Sequence, residues 1–433
     1  MTTVTNEASN PFEMAAEIFL SQSSAIVRGG LALSLSVTIE PDQLQALVRR
    51  LWPDTALTEV ELSELIDWPF VIAGQSGWSM LQPMARVLST YFRDADQVLF
   101  TSAHELLASM EKSRTPSDEL DDWFISGRTA YYLAGVDPTV SAGQFGEVFE
   151  HAPVVDRTSC RVWLAGLVDR QSHLLGDTSR TVSFFRGFRH YVSGNRRAAA
   201  REFTRVLAGE DADIYRAISL HLGALSIRSQ MAENVVDMIR QSVELSEKLR
   251  LGVNEVMARQ SLIWLLLRHG TPKTDLISLA EYNVERSKSL ADRNLLGWTR
   301  RTYAVMQWLN LVGDTRDHVT EEARSEAPSL LGDLSEALAL AEATDDPETV
   351  LFILNDRASI FCDLAELEDA EIELEAALDR AGGLGYASRV LASLGKTCGR
   401  AAILARSAGK NNLATQFRRL SSGFRRLEDR YVS

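Results

Sequence analysis

Gly395-Lys396-Thr397 is the tripeptide in this chain that most resembles the end of a phosphate-binding loop, in which backbone amides cradle phosphates and a lysine reaches them. The glycine that opens such a loop would stand at 390, where the chain has Val390, and the flanking residues favour helix. A helix cannot supply the nest of amides, so nucleotide binding by this segment is excluded. Nucleophilic and metal chemistry fare no better. Cys160, Cys362 and Cys398 lie in no nucleophile loop and are too scattered for a disulfide framework or a zinc cluster; they read as reduced core thiols. The histidines, His104, His151, His173, His190, His221, His269 and His318, are dispersed and read as surface or helix-end residues. There is no HExxH pair and no G-x-S-x-G elbow. No catalytic residue, cofactor or metal is assigned, and the chain is expected not to be an enzyme.

Recognition chemistry is better represented. Arg186, Arg189, His190, Arg196, Arg197, Arg201 and Arg205 are interleaved with Phe184, Phe185, Phe188 and Tyr191. Arginine beside aromatic side chains is the composition of interface hot spots, because both bury large area at modest ordering cost. Part of that aromatic set must be core.

The elements that position these residues are helix pairs. ILNDRASIFCDLAELEDAEIELEAALDRA, residues 353 to 381, spells a helix-turn-helix unit: Ala358, Ala370 and Ala377 fall where two helices touch, and Phe361, Leu364, Leu367 and Leu374 fill the space between. The unit resembles a tetratricopeptide repeat. SFFRGFRHYVSGNRRAAAREFTRVLAG, from Ser183, is a second, with Gly187 at the close contact, Gly194-Asn195 at the turn, then Ala199 and Phe203. Further units fall near Gly223, Ser261, Ala304, Ala358 and Ala402, at separations above the consensus of about 34 residues. Such units bury their apolar faces only by stacking, so a solenoid of about seven pairs and a binding surface are expected. The segment 313 to 333 reads as the longest irregular stretch, and an acidic region before the basic last helix (Arg418, Arg419, Arg425, Arg426, Arg430) reads as a solvated array end. In tetratricopeptide arrays the first helix of each unit lines the groove; by resemblance this implies Phe184, Phe188, Tyr191, Asn355, Ser359, Asp363 and Arg406, with Arg189 beside the aromatic anchors. The clamp that holds a terminal carboxylate in some members is not recognisable.

Composition narrows the setting. The 433 residues carry a net charge of −14 and a pI near 5.1, which disfavours nucleic acid and anionic membrane as partners at long range. No apolar run reaches the roughly 18 residues that a membrane span needs, and MTTVTNEASNPFEMAAEIF lacks the basic start of a signal peptide. A cytoplasmic location is expected.

The N-terminal part differs. PDQLQALVRRLW (41 to 52) and TEVELSELIDW (from Thr58) read as helices; PFVIAGQSGWSMLQP (69 to 83) holds two β-favouring runs around Gly74-Gln75-Ser76-Gly77, and MARVLSTYF resumes helix. ELIDWPFVIAGQSGWSMLQPMARVLSTYF resembles the winged-helix segment of STAND-class signalling ATPases, including MalT-type regulators, although Gln82-Pro83 stands where that family has histidine-proline. The resemblance implies the regulatory half of such a protein without its nucleotide-hydrolysing domain.

The sequence therefore predicts a mostly α protein: a flexible N-terminus (1–11), a small winged-helix-like domain (12–113) and an α-solenoid of tetratricopeptide-like helix pairs (114–433). The expected role is a protein–protein interaction adaptor that regulates a separately encoded effector, such as a protease or nuclease, in signalling or antiviral defence. The alternative is a DNA-associated transcriptional regulator. From Glu40 to Asp96 four arginines face nine carboxylates, which argues against DNA as the ligand of the winged-helix segment.

Overall fold

The computed structural model describes residues 11–74, 77–154, 157–176, 179–227, 233–313, 319–383 and 389–432. The expected flexible residues up to 10, the turn pair Gln75-Ser76 and part of the 313 to 333 segment lie outside them. Four helices open the chain: α1 (Pro11–Leu20), α2 (Ser24–Leu35), α3 (Pro41–Leu51) and α4 (Glu59–Ile66). The sequence sets their starts. Pro41 sits in the first turn of α3 behind a capping box of Glu40 and Gln43, and Thr58 with Glu61 makes the same reciprocal cap on α4. Leu44, Leu47, Val48 and Leu51 then form the buried stripe of α3.

A hairpin follows where the two β-favouring runs predict it, β1 (Val71–Gly74) against β2 (Gly77–Met80), in the register Val71 to Met80. Gly77 has φ +119°, and a side chain there would meet the backbone of Ile39. Ile39 in turn pairs with Trp78 as an isolated antiparallel bridge. Next come α5 (Gln82–Ala95), α6 (Gln97–Lys112), α7 (Glu119–Leu133), α8 (Pro138–Glu150), α9 (Arg157–Arg170) and the one-turn α10 (Ser172–Leu175).

From there the chain is helix after helix: α11 (Arg180–Val192), α12 (Arg196–Leu207), α13 (Ile214–Ser226), α14 (Glu233–Leu249), α15 (Gly252–Arg268), α16 (Lys273–Ser289), α17 (Arg293–Val312), α18 (Glu321–Ala343), α19 (Pro347–Leu364), α20 (Leu367–Ala381), α21 (Arg389–Ser407) and α22 (Asn411–Val432). Packing divides the chain into two compact units, residues 1–153 with 159–189 and residues 154–158 with 190–433. The boundary read from the sequence, at 113, thus falls inside the first unit.

The second unit is a tetratricopeptide-like helical repeat. Each helix packs on the next from α12 to α22, and odd-numbered helices also pack on one another, α13 on α15, α15 on α17, α17 on α19 and α19 on α21. Small residues mark the close approaches: Ala358, Ala370 and Ala377 are all fully buried. Gly223 brings α13 within 3.4 Å of the Phe203 side chain for a Cβ built there, and Gly194, at φ +78°, makes the turn before Asn195 caps α12.

One expectation is overturned. Residues 321 to 333 are not irregular; they form the first half of α18. Thr320 accepts the Ala323 amide as N-cap, and Ala323, Ala327, Leu330, Leu334, Ala337 and Ala341 form a buried stripe spaced by three and four. Pro328 stands on the exposed side, where the Arg324 carbonyl it leaves without a donor can turn to water.

Candidate protein-binding surface

The packing of α15, α17, α19 and α21 on one another aligns their side chains into polar cross-links between helices. Gln260 on α15 donates to the Trp298 carbonyl at 3.2 Å and reaches the Thr302 hydroxyl on α17. Arg301 on α17 pairs with Asp356 on α19 at 2.6 Å. The Trp308 indole donates to Asp363 at 2.8 Å, and Asp363 also accepts from Arg400 on α21. Asn355 donates to Ser393 at 3.3 Å and accepts from Thr397 at 2.8 Å. Asn355, Ser359 and Asp363 recur every four residues and so share a face of α19.

Arg301 is the centre of this surface. Its guanidinium lies 4.6 Å from the ring centre of Phe352, 5.3 Å from Trp264 and 5.7 Å from Trp298. The three rings come from three helices, and each is half-buried. Trp298 and Phe352 touch with centroids 5.7 Å apart, and the Trp298 indole donates to Asp346 at 3.1 Å. A buried, ion-paired arginine thus holds aromatic faces in fixed positions with part of each surface still open.

The residues chosen from the sequence fare unequally. Phe184 and Phe188 are not groove residues: they are buried in the first unit, with ring centroids 5.0 and 4.9 Å from Phe149. Their spacing of four puts both on the face of α11 that meets Phe149, and rings that find an aromatic partner are removed from solvent. Arg189 is exposed and pairs with Asp169 at 3.1 Å. Tyr191 is half-buried under Arg196, whose guanidinium lies 3.9 Å from its ring centre. Asn355 and Asp363 belong to the cross-links above, Ser359 is half-buried between them on α19, and Arg406 is exposed in the last turn of α21. Trp264, Trp298, Arg301, Phe352, Trp308 and Arg400, which the packing brings together here, are not singled out by the sequence. The available signal was Trp298 three residues before Arg301, one helical turn apart.

Of the remaining chemistry-bearing residues, Lys396, His151 and His269 are exposed, and the cysteines are buried. Gly395-Lys396-Thr397 lies within α21. Burial pushes the Cys362 thiol up to about 11 and the Cys398 thiol up to about 12, which leaves neither reactive. His104 and His221 are buried, not surface residues as expected. The His221 ring bridges Asn254 at 3.3 Å and Ser261 at 2.9 Å. No group of metal-ligating residues occurs among the described residues, and no described helix is long and apolar enough to cross a membrane.

No protein-family model matches the chain, and no curated protein matches it. Among solved structures, a STAND protein with a tetratricopeptide repeat sensor from Pyrococcus horikoshii aligns with 99% of this chain at a TM-score of 0.45 and 10% identity. The chain spans 66% of that protein's length. A Rap protein complexed with competence and sporulation factor aligns with 80% of this chain and 94% of its own length, at a TM-score of 0.41 and 13% identity. Aspartyl phosphate phosphatase F from Bacillus subtilis aligns with 79% of this chain and 89% of its own, at 0.43 and 13%. None of these scores reaches 0.5, so the helical-repeat architecture stands on the chain's own packing.

Proposed function

We propose that this chain is an interaction adaptor that binds another protein through the face shared by α15, α17, α19 and α21, and thereby regulates a separately encoded effector. The observation that carries the reading is the convergence of Trp264, Trp298 and Phe352, each half-buried, around Arg301. Aromatic side chains held by a desolvated arginine bury large area without losing much side-chain freedom, which is what anchors a hot spot. Ser359 and Arg400, both half-buried, extend the face with polar groups that fix the register of a bound segment, and the buried Asn355 and Asp363 hold that face from beneath. Arg189, Tyr191 and Arg406 remain candidates for secondary contacts.

The setting follows from the resemblance of the N-terminal part to STAND regulatory halves: signalling or antiviral defence. Residues 12–113 are read as winged-helix-like, a reading supported by helices followed by the 71–80 hairpin and by the Ile39 to Trp78 bridge.

The test is capture of partners by the full chain, wild type against Phe352→Ala and Trp264→Ala, with Ile372→Ala on α20, 62% exposed, as the control. The two aromatic variants should each weaken retention of the same captured protein by about 2 kcal/mol while still melting cooperatively, and Ile372→Ala should not weaken it. Full retention by both aromatic variants would move the binding surface elsewhere.

A further inference from the structure

The exposed faces of α20 and α22 carry opposite charge, and the surface shared by α15, α17, α19 and α21 includes neither helix. On α20, Glu368, Glu375 and Asp379 are exposed and Glu371 is half-buried; spaced by three and four, they form one stripe along the helix. Lys410 pairs with Glu368 at 2.7 Å, and no cation among the described residues pairs with the other three. Burial, then Glu375 and Glu368, push the Glu371 carboxyl up, and its Oε1 has no hydrogen-bond partner among the described residues. On α22 the buried side is Leu413, Ala414, Phe417, Leu420 and Phe424. Arg418, Arg419, Arg425 and Arg426 are exposed, and no carboxylate among the described residues pairs with Arg419, Arg425 or Arg426.

Two contacts fix how these helices lie. Lys410, just before α22, bonds Glu368 in the first turn of α20. Further along, a Cβ built at Gly423 of α22 would come within 2.9 Å of the Leu378 side chain, in the last turn of α20. The two helices therefore run side by side in the same direction, with Glu375 and Asp379 level with the stretch from Arg418 to Arg425. An acidic helix parallel to a basic one is self-complementary. A two-fold axis running along the groove between them lays α22 of each copy over α20 of the other at the same level, with arginine opposite carboxylate.

We propose that this face joins two copies of the chain in an isologous dimer, the α22 arginines of each copy pairing with the α20 carboxylates of the other. Charge selects this occupant. A nucleic acid seated on the α22 arginines would lie beside the α20 carboxylates and be repelled by them, and a basic partner on α20 would meet α22 in the same way. Only a surface that carries both signs in this arrangement matches both helices, and a second copy does. The 15 residues of α20 give a shared length of about 22 Å. Two helices side by side are about 20 Å wide. The patch is therefore the size of a weak, reversible interface, and association in the range of tens of micromolar is expected.

The test is sedimentation velocity of the full chain over a concentration series up to about 200 μM, in about 50 mM and about 500 mM sodium chloride. A dimer should form at the lower salt, and its dissociation constant should rise about tenfold or more at the higher. Two charge-reversed chains locate the contact, one carrying Arg419→Glu, Arg425→Glu and Arg426→Glu, the other Glu371→Lys, Glu375→Lys and Asp379→Lys. Each alone should be monomeric with a helical circular dichroism spectrum, and an equimolar mixture of the two should restore the dimer, because each reversed helix then faces its opposite. A wild-type chain that stays monomeric at both salts would overturn the proposal, as would a dimer indifferent to salt or one that survives either reversal. The salt series uses the wild-type chain alone, so it decides even if a reversed chain does not fold. Retardation of duplex DNA by a monomeric wild-type chain, lost on reversal of α22, would also overturn it and assign the arginines to nucleic acid.

Discussion

Replacing Asp363 with alanine should destabilise the second unit by about 3 kcal/mol. The carboxylate has no accessible surface, whereas a third of the Arg400 side chain remains open. Its other partner, the Trp308 indole, is 2% exposed. Removing the carboxylate leaves that N–H buried with no acceptor, worth about 1–3 kcal/mol, and opens a void worth about 1 kcal/mol. Arg400 adds little, because water can reach its guanidinium once the pair is broken. At roughly 2–4 °C per kcal/mol for a unit of this size, the midpoint should fall by about 6 °C or more. Asp363→Asn keeps an acceptor for the indole and should cost about 1 kcal/mol. Thermal unfolding followed by circular dichroism gives the ordering, and hydrogen exchange should show the loss concentrated in α17, α19 and α21. An alanine variant that melts within about a degree of wild type would mean the bridge contributes nothing. An asparagine variant more stable than wild type would mean that desolvating the carboxylate costs more than its bonds return.

Acid should weaken the first unit through His104, whose folded value of about 4 lies below the ordinary histidine value of 6.5 because the ring is buried. The unfolded chain then binds the proton more readily, so stability is full above about pH 6.5 and falls as pH drops towards 4, by about 3 kcal/mol across the window; urea midpoints at pH 7.5 and pH 4.5 measure it, and equal midpoints would refute it. Glycine replacements should divide by their surroundings. A Cβ at Gly135 would collide with the His104 ring while one at Gly166, inside α9, meets nothing, so Gly135→Ala should cost about 2 kcal/mol or more and Gly166→Ala should gain about 0.5–1 kcal/mol, both readable as shifts in melting temperature.

The parts of the fold that could be read from the sequence are those fixed by local chemistry. Thr58 with Glu61, Pro41, and the small contacts Ala358, Ala370 and Ala377 each act within a turn or within one helix pair. The hairpin from Val71 to Met80 is equally local. The start of α18 escaped because its stripe opens with two alanines and its exposed side carries Pro328 and charges, so the contrast between faces is weak. Phe184 and Phe188 show the converse limit: aromatic identity and spacing put them on one face of α11, but which face is buried depends on Phe149, distant in sequence. The Arg301 surface was hidden for the same reason, being assembled from residues 264, 298, 301 and 352 on three helices.

The cross-links explain why these residues converge at all. Contacts among small side chains permit helices to approach but resist rotation about their axes only weakly, because alanine offers nearly the same surface in several registers. Gln260 with Thr302, Arg301 with Asp356, Trp308 with Asp363 and Asn355 with Thr397 each satisfy buried or half-buried polar atoms in one register only, and any other register would leave donors unpaired. The polar ladder therefore sets the angle of each helix, and that angle brings Trp264, Trp298 and Phe352 around one guanidinium. If the proposed surface is the one used, stability and recognition meet in the same residues: an anchor held this way loses little freedom on binding, and a change that loosens the ladder should scatter the anchor before it unfolds the unit.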